Sequence, residues 1–256
     1  MDYGLDLFSN FTYHLNDPLN GDQFEQVDER RVLGGRIGHR RQMRWLGRAV
    51  EHRIGAQVRH DRIGALGLHA THARQRLATL RFDRVHQTSS GLHYQGEMGV
   101  TDRFRATAGV RGDVYRFVVH SDSPENSGTA LDGLVSPKLG LVFSPSRTWE
   151  LYGNFGYGHH SNDARGATLS IDPMTGEPTA PVTPLVRTRG GELGVRTVVI
   201  PKLQTKVAIW GLALDSELVC RRGRHGDVRT VAPHQYQRRI RGDPTHAPRS
   251  RRTEPV

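Results

Sequence analysis

The sequence predicts an all-β chain, an antiparallel transmembrane β-barrel segment that forms a partial barrel of about ten strands, with a disordered basic tail behind it. Three observations carry this. Residues 1–219 alternate apolar and polar side chains at period two in one stretch after another. The connections between those stretches alternate short and long. The positive charge gathers where the alternation stops: residues 220–256 hold ten Arg against Asp227, Asp243 and Glu254, a net of +7 out of +10 for the whole chain.

The alternating stretches follow in order. GLDLFSNFTYHL sets Leu5, Leu7, Phe11 and Tyr13 in phase. AVEHRIGAQVRH sets Val50, Ile54, Ala56 and Val58 against Glu51, Arg53, Gln57 and Arg59. In GLHYQGEMGV, Leu92, Tyr94, Met98 and Val100 oppose His93, Gln95 and Glu97. FRATAGVRGDVY opposes Phe104, Ala106, Ala108, Val110 and Val114 to Arg105, Thr107, Arg111 and Asp113. SPKLGLVF, WELYGNFGYG, GELGVRT and LQTKVAIWGLALD complete the series. Lengths of about 8–12 residues suit tilted barrel strands.

The connections TDR (101–103), SPSR (144–147) and IPK (200–202) are tight turns carrying Asp, Pro and Ser. Between them lie HSDSPENSGTALDG (120–133) and a long segment spanning 159–187. A membrane barrel keeps short turns at one end and long loops at the other, and a soluble sandwich has no reason to. Composition is compatible with this. Hydrophobic residues are 36% and mean hydropathy is −0.57, and no apolar run approaches the roughly 20 residues a spanning helix needs. A spanning strand needs only about 9–11 residues, half of them polar. The single cysteine, Cys220, excludes an internal disulfide. Met1 is followed by the acidic DYGLD, so no secretory signal is visible.

In WELYGNFGYGHHSNDARG (149–166), Trp149, Leu151, Gly153, Phe155 and Tyr157 share a face opposite Glu150, Tyr152, Asn154 and Gly156. A half-buried soluble strand and a strand between lipid and water both read this way. The stretch SPKLGLVFSPSRTWELYGNFGYGHHSNDARG (136–166) resembles the barrel of TonB-dependent outer-membrane receptors. It has a P-K-L-G-L-V strand start, a tight turn, an E-L-Y-x-N strand and an N-D-A-R-G loop element. GVRGDVYRF (109–117), DPMTGEPTAPVTPLVRTRGGELGVRT (172–197) and LQTKVAIWGLALDSELV (203–219) resemble neighbouring barrel strands in the expected order.

The resemblance spans about residues 30–219 and implies lipid on the apolar face and water on the polar one. It implies uptake of a scarce solute, such as an iron chelate, vitamin or saccharide, through the outer membrane of a Gram-negative bacterium. The implied partners are outer-membrane lipid, a small-molecule ligand, and the TonB complex acting through an N-terminal plug and TonB box that this sequence does not show. With far fewer than the roughly 22 strands of such barrels, the chain reads as a receptor fragment. The alternative is a non-transporting outer-membrane barrel or a soluble β-rich binding protein with a polyanion-binding tail.

The tail, 220–256, is read as a separate disordered Arg-rich segment, out of frame from Cys220. Read one base later, permitted codons there give a receptor-like continuation after SELV. Its rival is a nucleic-acid-binding arm, but the tail has one aromatic, Tyr236, and no specific nucleic-acid partner is expected.

H-E-x-x-H, G-x-S-x-G and G-x-x-x-x-G-K-[ST] are absent, so no enzyme is expected, and neither catalytic residues, a cofactor nor a metal. His69 and His72, three apart on a strand, point to opposite faces. Solute contact is expected in the loops 120–133 and 159–187. The candidates are Asn162, Asp163 and Arg165, with His159 and His160 at the loop mouth. A structural lock, Arg165 pairing Asp163, is the competing role for the same residues.

Overall fold

A computed structural model describes residues 1–9, 12–15, 17–173, 175–220 and 228–231. Residues 1–213 form one compact unit and 214–256 a second. In the first, nine strands follow one another as an antiparallel meander, each bonded to the next in sequence. They are β1 (Asp2–Phe8), β2 (Gln23–Trp45), β3 (Arg48–His72), β4 (Gln75–Gly99), β5 (Phe104–Ser121), β6 (Gly128–Ser146), β7 (Trp149–Ser161), β8 (Leu185–Thr197) and β9 (Thr205–Leu214). The only α-helix among the described residues, α1 (Ala164–Ala167), lies between β7 and β8. In the second unit, β10 (Glu217–Cys220) and β11 (Val228–Val231) pair antiparallel, so part of the expected tail is a hairpin. The remainder of the tail, 221–227 and 232–256, lies outside the described residues.

The strands exceed the expected length: β2 has 23 residues and β3 and β4 have 25 each. The additional lengths, QFEQVDERRV in β2 and QRLATLRFDRV in β4, carry charge on both faces, so the hydrophobic period vanishes while the backbone ladder continues. The pairing is long-range and regular, as in Ala56↔Leu92 and Leu92↔Gly112 across three strands. Two expected boundaries change accordingly. Tyr13 falls in the connection 9–22 instead of in the first strand, and the expected loop 120–133 shrinks to 122–127 because β5 and β6 run on.

The connections at one end are 46–47, 100–103, 147–148 and 198–204, and at the other 9–22, 73–74, 122–127 and 162–184. Leu46 and Gly47 both have positive φ (48° and 75°), the two-residue hairpin geometry whose twist matches its strands. The longest connections share one end, although 73–74 there is also tight. That pair ends strands which carry the β3–β4 ladder beyond its neighbours.

The two faces differ. The one called outer here exposes Ile54, Val58, Leu92, Val110, Val114, Leu131, Leu139, Leu151, Phe155 and Leu193, with Leu92 and Leu131 each 69% exposed. The inner face, onto which α1 folds, buries Ile63, Val85, Phe117 and Val119 together with Ala164. Register places Ile63 beside Val85 and Val85 beside Val119. Trp149, Leu151 and Phe155 are exposed on the outer face, while Tyr152 donates to Glu192 (2.7 Å) across to β8. Among the described residues no helix is long and apolar enough to cross a membrane, which leaves crossing by strands open.

Candidate functional site

The inner wall is built from a step in the sequence: an Arg and an Asp two residues apart, therefore on one face of a strand. Asp28 and Arg30 supply it on β2, Arg59 and Asp61 on β3, Arg81 and Asp83 on β4, and Arg111 and Asp113 on β5. Arg59 donates to both oxygens of Asp61 at 2.7 Å, and Arg111 to both of Asp113 at 2.6 Å. Asp61, Asp83 and Asp113 are buried. An ionised carboxylate buried alone is strongly disfavoured, and the two-bonded guanidinium fork is the arrangement that offsets that cost. Toward the tight-turn end a second polar network crosses four strands: Glu97–Arg105 (3.4 Å), Arg105–Glu150 (4.0 Å) and Glu150–Arg196 (3.0 Å).

Asp83 is fully buried, and its Oδ1 has no hydrogen-bond partner, nor has Nη2 of Arg81. The charge is completed from outside the sheet by Arg165 of α1, whose Nη1 lies 3.8 Å from Asp83 Oδ2. Asp163 holds Arg165 in place. It caps α1 by accepting from the Arg165 backbone N–H (2.9 Å), and it accepts from that guanidinium at 2.6 Å through Nη2. Burial pushes the Asp163 carboxyl up, but the hydrogen bonds and charge of Arg165 outweigh it and hold the group below the usual carboxylate range.

The loop is anchored at two further points. Asn162 donates from its side chain to Thr183 O (2.7 Å) and from its backbone to Pro184 O (2.9 Å), closing the base of 162–184. Asn126, 1% exposed in the turn 122–127, donates to Ile171 O (2.9 Å) and accepts from the backbone N–H groups of Ser170 and Ile171 (3.0 Å each). Thr168 Oγ1 donates back to Asn126 O (2.9 Å). The two connections are thus clasped around the Asn126 side chain, with the Thr168 and Ser170 hydroxyls adding bonds to the backbone of 125–126.

Of the residues predicted from sequence, Asp163 and Arg165 come together with Asp83, and Asn162 stands at the loop base. His159 joins a different group. Its Nδ1 lies 4.0 Å from Asp113 Oδ2, and its ring meets Tyr115 edge-on at 5.7 Å. His160, one residue on, has no hydrogen bond or ion pair in either group among the described residues. His69 and His72 also separate: His69 contacts Thr79 Oγ1 (3.1 Å) and His72 contacts Asn20 O (2.9 Å). Sequence reasoning missed Asp61, Asp83, Arg81 and Asn126. The repeated R-x-D on successive strands (RHD, RFD, RGD) was the available signal for the first three. Asn126 carried none, because its partners lie 44 and 45 residues away.

Two recesses open along this wall. One, about 420 Å³, is bordered by Asp28, Leu66, Arg81 and Arg165 beneath the loop. The other, about 370 Å³, is bordered by His93, Arg111, Ser136, Lys138 and His159. Guanidinium, ammonium, imidazole and hydroxyl groups line these recesses, and such groups are able to hydrogen-bond a polar solute.

Among curated proteins, none matched the sequence. The fold has counterparts among solved structures. The ferripyoverdine receptor of the outer membrane of Pseudomonas aeruginosa aligns with a TM-score of 0.64 at 14% identity, over 85% of this chain and 30% of that one. The ferric preacinetobactin receptor of Acinetobacter baumannii gives 0.59 at 11% identity, over 78% of this chain and 31% of that one. The alcaligin outer-membrane receptor of Bordetella pertussis gives 0.54 at 13%, over 77% and 31%. The chain therefore spans about a third of the length of each. The sequence model of the family described as "TonB dependent receptor-like, beta-barrel" matches residues 2–242, and it is to this receptor family, one of transporters and not of enzymes, that the chain belongs.

Proposed function

We propose that this chain forms part of the wall of a receptor that takes a scarce solute, such as an iron chelate, a vitamin or a saccharide, across the outer membrane of a Gram-negative bacterium. The observation carrying this reading is the reversal of the two faces: exposed Ile54, Leu92 and Leu131 outside, buried Asp61, Asp83 and Asp113 inside. That arrangement suits lipid against the outer face and a hydrated passage along the inner one. Solved structures of similar fold include a receptor bound to ferripyoverdine and a ferric preacinetobactin receptor, which supports the solute class. In this reading the loop 162–184 meets the ligand at Asn162, Asp163 and Arg165, with His159 and His160 at its mouth, and the TonB complex acts through plug and TonB-box segments. Residues 220–256 are read as out of frame, and the coding DNA decides that: a shifted frame without a receptor-like continuation rejects it.

The test of function is disruption of the encoding gene, with growth measured while ferric chelates, vitamins and saccharides are supplied one at a time as the limiting nutrient. Loss of growth on one of them, restored by the intact gene, is the expected result. Unchanged growth on all of them overturns the reading.

A further inference from the structure

The sheet parts between β6 and β7. The β5–β6 ladder runs from Phe104↔Phe143 to Val119↔Gly128, and the β7–β8 ladder from Trp149↔Thr197 to Ser161↔Leu185. The β6–β7 ladder covers only the half toward the tight turns and stops at Lys138↔Gly156. Beyond that point side chains close the edge of β6. Asp132 accepts from Gly133 N–H through Oδ1 (2.8 Å) and from Leu185 N–H through Oδ2 (3.1 Å). Arg187 donates to Val135 O (3.3 Å), and Pro137 has no N–H to leave unpaired.

Glycines mark the level at which the strands part. Gly156 pairs with Gly190, and the next pair is Phe155↔Gly191. Backbone without a Cβ bends there at little steric cost. Past these glycines, residues 157–161 and 185–189 form an arm that carries the loop 162–184 over the inner face. His159 reaches Asp113 and Tyr115 on β5, and Ala164 joins the cluster of Phe117 and Val85. The arm with its loop supplies one side of each recess. Tyr157 and His159 border the smaller together with Arg111, Ser136 and Lys138 of β5 and β6. Arg165 and Pro173 border the larger together with Leu5, Val27 and Leu66 of β1 to β3.

We propose that this arm and its loop are a flap hinged within the sheet at Gly156, Gly190 and Gly191, which opens and closes both recesses as one body. Its fastenings are side-chain bonds and apolar contacts: Leu185 to Asp132, Arg187 to Val135, Arg165 to Asp83, the Asn126 clasp, and the buried Ala164, Leu185 and Val186. Lifting the flap therefore breaks no ladder bond to β6, and the β7–β8 ladder travels with it. As a gate for solute the flap rests on the reading of this wall as solute-binding; as a moving body it does not.

The test is a reversible lock. A Cβ placed on Gly128 would stand 3.6 Å from Thr168 Cβ, within disulfide reach, so Gly128→Cys with Thr168→Cys ties the loop to the start of β6. Cys220→Ser removes the native thiol. Amide hydrogen exchange is measured on the full chain in detergent, oxidised and then reduced, so that each protein is its own control. The disulfide is expected to slow exchange at Ser170 and Ile171, and equally at Leu185 on the arm, by roughly tenfold. Reduction restores the faster rates, and amides 151–155, below the hinge, stay unchanged. Leu185 exchanging alike in both forms overturns the proposal, because the loop then frays without the arm. So does exchange of Leu185 in the reduced form as slow as in the middle of the β5–β6 ladder, which marks a fixed arm. Failure of the two cysteines to join overturns the closed position itself. Unchanged growth in the nutrient test, with exchange as expected, overturns the gating of solute and leaves the motion, so the two failures are distinct.

Discussion

The outer and inner faces of this sheet place the same residue classes in opposite surroundings. On the outer face the largest aliphatic side chains stand exposed; on the inner face three aspartates are buried to 3% exposure or less. A soluble protein offsets exposed polar groups with a buried apolar core, whereas here ion pairs occupy the interior beside a small apolar cluster around Phe117. The difference teaches that burial alone says little about polarity. What each side chain finds there decides, a guanidinium on one face and an apolar solvent on the other.

Substitutions test that contrast most severely where charge is balanced least well. Asp83→Ala leaves Arg81 and Arg165 facing an empty position, and denaturant titration in detergent should show a loss of about 3–5 kcal/mol. A loss below 1 kcal/mol would mean water already balances the pair. Next comes the outer face. Ile54→Arg, in the middle of the exposed apolar rows, should cost about 2–4 kcal/mol in vesicles and far less in a soluble fold. A neutral result would break the reading of that face as lipid-facing.

Asn126→Ala removes a fully enclosed amide from its hydrogen bonds to Ser170 and Ile171 and should cost about 1–3 kcal/mol, read as faster hydrogen exchange in 122–127 and 162–184 together. Exchange rising in only one of the two segments would deny the clasp.

The smallest expected effect concerns pH. Because Arg165 holds the Asp163 pKa below its ordinary value, the Asp163–Arg165 contact contributes fully above that ordinary value, about 4, and is lost as pH falls through the lower, folded-state one. Protection factors for 162–168 should therefore be flat from neutral pH down to about 5 and fall below about 4, and Asp163→Asn should remove that dependence.

Much of the architecture was readable. Where one face is wholly apolar, as in GLHYQGEMGV or WELYGNFGYG, period two identified both the strand and its outward side. It failed for Gln75–Val85 and Gln23–Val32, where Arg, Asp and Glu stand on both sides of the strand and the signal of alternation disappears although the ladder persists. The site was half legible. Asp163 and Arg165 lie two apart and announce a local pair, while the partner Asp83 lies on another strand and the Asn126 clasp joins segments more than forty residues apart. Local chemistry is written in the sequence, whereas partners brought together by sheet register are not.

The R-x-D step has a consequence for assembly. Because each of the four guanidinium–carboxylate pairs is closed within a single strand, β2, β3, β4 and β5 each bring a counter-ion for that aspartate before any neighbour arrives. An aspartate paired within its own strand does not depend on a neighbouring strand for its counter-ion. Other charges of the inner wall wait for a neighbour: Asp83 for Arg165 of the later loop, Glu25 of β2 for Arg76 of β4, and Glu97 and Glu150 for arginines of other strands.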